Sequence, residues 1–185
     1  LEATGLKNSG RPRITELSFV AVNTESILDL NAMFISHLQK SRIKVESLFP
    51  RVMNKLTVCV YPMATIRPEV SVLTGLDNYN LSGQATFDTK TGELLNSFLA
   101  RLPAPLCLVA HNGDLYDFPL LKAELEKAGI ALPQDTLCAD SYVGIKEIFK
   151  IREGSQHLKK NMDYICLGSP TSYSLINLHK QLLGC

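Results

Sequence analysis

The 185-residue sequence has no run approaching about 18 uncharged apolar residues, which argues against a transmembrane helix. It lacks the basic-then-apolar opening of a secretory signal and starts on Leu1 rather than Met, so Leu1 reads as an internal residue of a longer chain. Charge of one sign is not in excess: the formal net charge is +1, and the field of the whole molecule points to no partner. The five cysteines, Cys59, Cys107, Cys138, Cys166 and Cys185, contain no close pair and no zinc spacing. An odd, unclustered set argues against a disulfide framework and for a reducing compartment, cytoplasmic or nuclear. Cys59, Cys107 and Cys138 lie in apolar strand-like runs, where cysteine packs as a small hydrophobe, and no histidine is placed to activate any of them. A Gly-rich phosphate loop and a Ser–His–Asp order are also missing.

What is present suffices for one domain, long enough to bury a core. Charge is uneven locally. Residues 146–160 hold five Lys/Arg against two Glu, and Lys7, Arg11 and Arg13 share one expected loop. Such a loop guides a phosphate backbone or is simply a solvated face.

Ile14–Val22 is rich in β-favouring residues and predicts a strand. Leu56–Tyr61 predicts a second, ended by Pro62 and able to pair antiparallel with the first. Residues 23–54 read as an insertion with a rough helical stripe of Leu28, Leu30, Phe34, Ile35 and Leu38. Thr91–Leu102 predicts a helix stopped by Pro103 and Pro105. Leu106–Ala110 is a short continuous apolar run, the pattern of a buried parallel strand. A turn at His111–Gly113 leads to a helix over Phe118–Gly129, with Pro119 in its first turn and Gly129 closing it. Leu137–Ala139 predicts another strand, followed through Asp140 and Ser141 by a helix to about Lys150. Residues 151–171 read as a polar, mobile loop, and Tyr173–Leu183 as a last amphipathic helix. Strands first, then strands alternating with helices, predict an α/β domain with a mixed central sheet flanked by helices. Sites in such sheets form outside the carboxyl ends of parallel strands, where Asp117 and Asp140 both fall.

Two carboxylates stand out. Glu2 ends a strand-like segment and is followed by Ala-Thr-Gly-Leu, small residues that let another backbone approach; in isolation it reads first as an exposed terminal Glu. Asp117 follows an apolar strand and a Gly turn, and it reads as a metal ligand, a helix N-cap or both. Asp114 competes with it, and spacing alone does not choose between them. His111 at the strand end reads as a ligand or base, or as a residue that locks the turn by hydrogen bonds.

These motifs come in an order that resembles a known family. Leu1-Glu2-Ala3-Thr4-Gly5-Leu6, Ile14-Thr15-Glu16-Leu17 and Leu73-Thr74-Gly75-Leu76 resemble the DnaQ-like (DEDDh) 3′–5′ exonucleases. Cys107 to Gly113 with Tyr116 to Leu121, Leu132 to Ser141, and Ser172-Tyr173-Ser174-Leu175 look like their three-prime repair exonuclease (TREX) branch. The resemblance implies a ribonuclease H-like exonuclease fold, its first strand and last helix incomplete here. It implies removal of nucleoside 5′-monophosphates from single-stranded DNA 3′ ends in DNA repair, by a homodimer. Two Mg²⁺ ions, roughly 3.5–4 Å apart, would hold the phosphate, with Mn²⁺ as a substitute.

Carried over residue by residue, the resemblance makes Glu2 and Asp117 catalytic metal ligands and leaves Asp114 at a variable position. Ala3, Leu6 and Leu73 fall on an apolar wedge for the terminal bases. Leu6 would split the last base from its neighbour, a contact of about 1–3 kcal/mol per base. Tyr116, Ser172 and Tyr173 fall on substrate-contacting positions, and Asp140 resembles an acid behind the ligands that orients one of them. The family's first Asp would sit just before Leu1, and its third-motif His and last Asp have no match before Cys185. The expectation is therefore a chain truncated at both ends and inactive by itself. The competing expectation is a catalytically dead nucleic-acid-binding or dimerisation module.

Overall fold

The computed structural model describes residues 1–5, 10–27, 50–154, 172–175 and 177–178. The chain forms two compact units, Leu1–Leu102 and Pro103–Cys185.

In the first unit β1 (Glu2–Ala3), β2 (Ile14–Val22) and β3 (Val52–Cys59) form an antiparallel sheet in the order β1-β2-β3. Ile14, Thr15 and Leu17 are buried in the first half of β2, while Ser18 and Val20 further along are exposed. The β2–β3 register runs from Glu16↔Cys59 to Val22↔Val52, with an irregularity between Ala21 and Val22. The strand predicted at Leu56–Tyr61 thus starts four residues earlier and ends before Val60. Its early half, Val52–Lys55, carries exposed or half-buried side chains and held no apolar run to announce it. Helix α1 (Pro68–Thr74) was not anticipated. Helix α2 (Thr89–Leu99) stops short of the expected Leu102, because residues 100–102 turn ahead of Pro103. Asp88 caps it by accepting the Thr91 N–H at 3.0 Å. Leu95 and Leu99 on α2 join Ile14, Leu17, Val60, Ile66, Leu81 and Phe87 in the core. Asn23 accepts the Glu25 N–H at 2.9 Å and starts a helical turn at residues 24–27. The predicted helical stripe itself, Leu28 to Leu38, lies outside the described residues.

The second unit is built on a β-α-β crossover. Strand β4 (Cys107–Ala110), helix α3 (Asp117–Lys127) and β5 (Leu137–Asp140) place two parallel strands side by side, from Cys107↔Leu137 to Ala110↔Asp140. Helix α4 (Ser141–Gly154) packs against both strands. It runs past Lys150 because no Pro or Gly interrupts residues 145–153. Helix α3 closes as its sequence predicts: Gly129 takes φ +70° and the Ile130 N–H reaches back to the Leu125 carbonyl at 3.0 Å. Among the described residues of the second unit, the buried apolar side chains are Leu121, Leu125, Phe149 and Leu178. Glu124 is buried beside them and pairs with Lys127 at 3.7 Å.

The architecture is α/β, with antiparallel and parallel pairing as in a ribonuclease H-like exonuclease. Parallel pairing of β4 is as expected, but burial on both of its faces is not. Cys107 and Val109 share one face with Leu137 and Ala139, and all four are exposed. The expectation that Cys107 and Cys138 pack inside is therefore corrected, since both residues are exposed overall. Among the described residues no helix is long and apolar enough to cross a membrane.

Candidate functional site

In the first unit, Glu2 is exposed and Ala3 half-buried on β1, facing Glu16 and Ile14 across the strand pair. Thr4 is buried and ties this segment down: its N–H donates to the Arg13 carbonyl at 2.9 Å, and its hydroxyl accepts the Arg13 N–H at 3.1 Å. Gly5 leaves room for the Arg67 side chain, since a Cβ there would lie 3.1 Å from Arg67 Nε. Arg67 comes just before α1, the helix that carries Leu73. Pro68 opens that helix and Gly75, at φ +73°, ends it. Leu73 is 85% and Val72 88% exposed, so α1 presents an apolar tip to solvent. Arg67 is the contact that sequence reasoning missed; its Nη2 is buried and finds no hydrogen-bond partner among the described residues. Leu6 lies outside the described residues.

Cys59 on β3 donates to Glu16 at 3.7 Å. Burial first, then the Glu16 charge, pushes its thiol up. Burial, then the Cys107 thiol and Asp114, does the same to Cys138. In both the shift disfavours the thiolate, the form a nucleophilic cysteine needs.

In the second unit the turn His111–Tyr116 leads out of the carboxyl end of β4, and β5 ends beside it at Asp140. Asp140 organises that turn. One carboxylate oxygen accepts the Asn112 N–H at 2.8 Å and the Tyr142 N–H at 2.9 Å; the other accepts the Asp114 N–H at 3.2 Å. Asn112 takes φ +61°, a left-handed conformation that asparagine tolerates. Asp117 is half-buried as the first residue of α3, and the N-cap position falls to Tyr116 rather than to Asp117. A carboxylate there lies in the positive end of the helix dipole. Asp114 is exposed in the turn and Tyr116 is exposed beside Asp117.

Burial acts to raise the Asp140 pKa, but the N–H groups of Asp114, Tyr142, Asn112 and Val143 outweigh it and hold the carboxyl below its ordinary value. A folded value below the unfolded one contributes stability that is complete above the unfolded pKa of about 3.9 and is lost as pH falls through the folded value. Asp140→Asn should therefore lower the melting temperature near pH 7 and flatten its dependence on pH between about pH 5 and 2. Parallel curves for the two proteins across that window would refute the role given to this carboxylate.

Ser172 and Tyr173 are half-buried. The Tyr173 ring meets Tyr142 and Phe149 edge-on, with centroids 6.0 and 5.9 Å away. His111 binds the Tyr173 carbonyl through Nε2 at 2.8 Å and meets the Ser141 hydroxyl through Nδ1 at 3.2 Å. Of the two readings open for His111, the geometry favours the lock. The second unit thus brings the Asp117 turn, Asp140 and the Ser172–Tyr173 segment into one connected network. Among the described residues no three His, Cys, Asp or Glu side chains gather into a group able to hold a metal ion.

No family model matches the chain. Curated proteins do. It is 38% identical to three-prime repair exonuclease 1 of Bos taurus and 37% identical to that of Homo sapiens, each over 187 aligned residues covering 100% of this chain. It is 37% identical to three prime repair exonuclease 2 of Homo sapiens over 171 residues, 91% of this chain and 68% of that protein. The chain belongs to the three-prime repair exonuclease family. It spans 54% of the length of the first two relatives. Within a three-prime repair exonuclease the motif assignments made from the sequence fall on exposed Glu2 and Leu73 in the first unit. In the second they fall on Tyr116 and Asp117 at the start of α3, and on Asp140, Ser172 and Tyr173 around His111.

Proposed function

We propose that this protein is a metal-dependent 3′–5′ exonuclease that removes nucleoside 5′-monophosphates from single-stranded DNA ends. The observation that carries the reading is the three-prime repair exonuclease relationship across the whole chain; Glu2 and Asp117 are the carboxylates that the motif resemblance assigns to the metal. The turn pinned by Asp140, which leads into Asp117, supports it, because a metal ligand needs a fixed backbone.

Glu2 and Asp117 would hold Mg²⁺; both offer hard oxygen donors, which suits that ion. The metal, when bound, neutralises charge on the scissile phosphate and makes the attacking water more acidic. Asp140 acts on the backbone around the ligand, with its lone pairs committed to N–H groups. Ala3, Leu6 and Leu73 form the apolar wedge against the terminal bases, and Tyr116, Ser172 and Tyr173 contact the strand. The enzyme works in DNA repair as a homodimer in the cytoplasm or nucleus. Free Cys59, Cys107 and Cys138 support a reducing compartment.

The test is digestion of a labelled single-stranded oligonucleotide by the full-length protein, with Mg²⁺ and with EDTA. Stepwise shortening from the 3′ end that EDTA abolishes is the expected result; shortening from the 5′ end, or none, would reject the reading. The 185-residue polypeptide assayed alone should stay at background, because none of its residues matches the family's first Asp, third-motif His or last Asp. Robust metal-dependent cleavage by it would show that other residues stand in for the unmatched ones.

A further inference from the structure

His111 lies six residues before Asp117 and bonds a residue 62 positions further along the chain. We propose that His111 is a positioning residue, the clamp that holds the Ser172–Tyr173 segment against the turn leading to Asp117. The proposal rests on the exonuclease reading only where it assigns that segment to the DNA strand.

The Tyr173 carbonyl can only accept, so Nε2 of His111 carries the proton and donates to it at 2.8 Å. Nδ1 then faces the Ser141 hydroxyl at 3.2 Å, a group able to donate or accept. Ser141 is the first residue of α4, and its one hydroxyl proton has two acceptors in reach, Nδ1 and the Ala110 carbonyl at 3.3 Å on the last residue of β4, of which it serves one at a time. One imidazole thereby joins the end of β4, the start of α4 and the chain at Tyr173. The ring also packs edge-on to Tyr142 at 5.6 Å, and Tyr142 packs on Tyr173.

The segment being held is itself ordered by short-range capping. The Ser174 N–H reaches the Ser172 hydroxyl at 3.3 Å, and the Leu178 N–H donates to the Ser174 carbonyl at 2.9 Å. Leu178 is buried, so the helical end is anchored by packing. At the other end the Tyr173 carbonyl is anchored by His111. Losing that bond frees the residues before the helix while the core contact of Leu178 remains.

Two substitutions separate the hydrogen bond from the ring. His111→Phe keeps an aromatic ring against Tyr142 and removes both nitrogens. His111→Gln removes the ring but can place an amide N–H near the Nε2 position. Both are made in the full-length protein and compared by hydrogen exchange over residues 172–178 and by steady-state digestion of a 3′-labelled oligonucleotide. His111→Phe should speed exchange in that segment and raise KM about three- to tenfold, with a smaller change in kcat. His111→Gln should stay near the wild type in both. Unchanged exchange in His111→Phe, or equal behaviour of the two variants, would overturn the clamp. Faster exchange with KM unmoved would overturn the link between the clamp and DNA. An inactive wild type would sink the exonuclease reading alone, because the exchange measurement decides the clamp without it.

Discussion

Asp117→Ala in the full-length enzyme is expected to reduce removal of 3′-terminal nucleotides by more than about a hundredfold, the upper end of what outer-shell partners of a metal typically cost. Asp114→Ala should leave the rate within about threefold, as for an exposed side chain. The two acids are three residues apart, and the fold treats them differently. Asp117 is half-buried at the first turn of α3, whereas Asp114 is exposed and contributes its backbone N–H to Asp140. Alanine at 114 keeps that N–H. Alanine at 117 removes the hard oxygens a divalent ion needs, and also the favourable placement of a negative charge near the helix N-terminus. The second loss is worth about 0.3–1 kcal/mol, while a hundredfold loss of rate corresponds to about 2.7 kcal/mol. Destabilisation of the helix therefore falls short of the expected effect, and a melting curve separates the two. Wild-type rate in Asp117→Ala, or equal losses in both variants, would remove Asp117 from the site.

Much of this site was legible because its signals are local. Asp117 stands out by sequence next to an apolar strand, a Gly turn and Pro119. Gly129 ends α3 through a backbone angle that glycine adopts readily. Helix α1 escaped for the opposite reason: none of its residues is buried, so no apolar periodicity marks it. Its signal was the Pro68 and Gly75 pair at its ends. The early part of β3 was hidden because Met53, Asn54 and Lys55 look outward or lie half-buried, and the pairing with Val20 and Ala21 makes the strand. The links of His111 to Ser141 and Tyr173 span 30 and 62 residues. No window of sequence contains such contacts, and they exist only once β4, α4 and the last segment have come together. Asp140 falls between the cases: its position after a strand was readable, but not the backbone N–H groups that converge on it.

Those N–H groups depend on how closely the turn can approach its own strand, and Gly113 sets that limit. It is buried, and a Cβ built there would lie 2.7 Å from Ala110 Cβ, 2.8 Å from Phe118 Cε2 and 3.0 Å from Phe118 Cζ. Carbon atoms prefer roughly 3.5–4.0 Å. The Phe118 ring has room to swing only as far as α3 lets it, and Ala110 Cβ is fixed to the backbone of β4. Relief requires the turn to move outward. That movement stretches the Asn112 and Asp114 bonds to Asp140 and the 3.0 Å bond from the Phe118 N–H to the Gly113 carbonyl. It also shifts the start of α3, and Asp117 with it. Gly113→Ala should cost about 1–3 kcal/mol of stability and about a hundredfold in rate, since a misplacement of about 1 Å near a reacting centre is enough for that. Gly144→Ala is the control, because nothing lies within 4 Å of its added methyl group and it sits inside α4, where alanine is favoured by about 0.5–1 kcal/mol. It should be as stable as the parent or more so. Denaturation curves, with rates measured well below the variant's melting temperature, decide the matter. A Gly113→Ala enzyme with parental stability and rate would mean that the turn does not need its close approach to Ala110 and Phe118 to present Asp117.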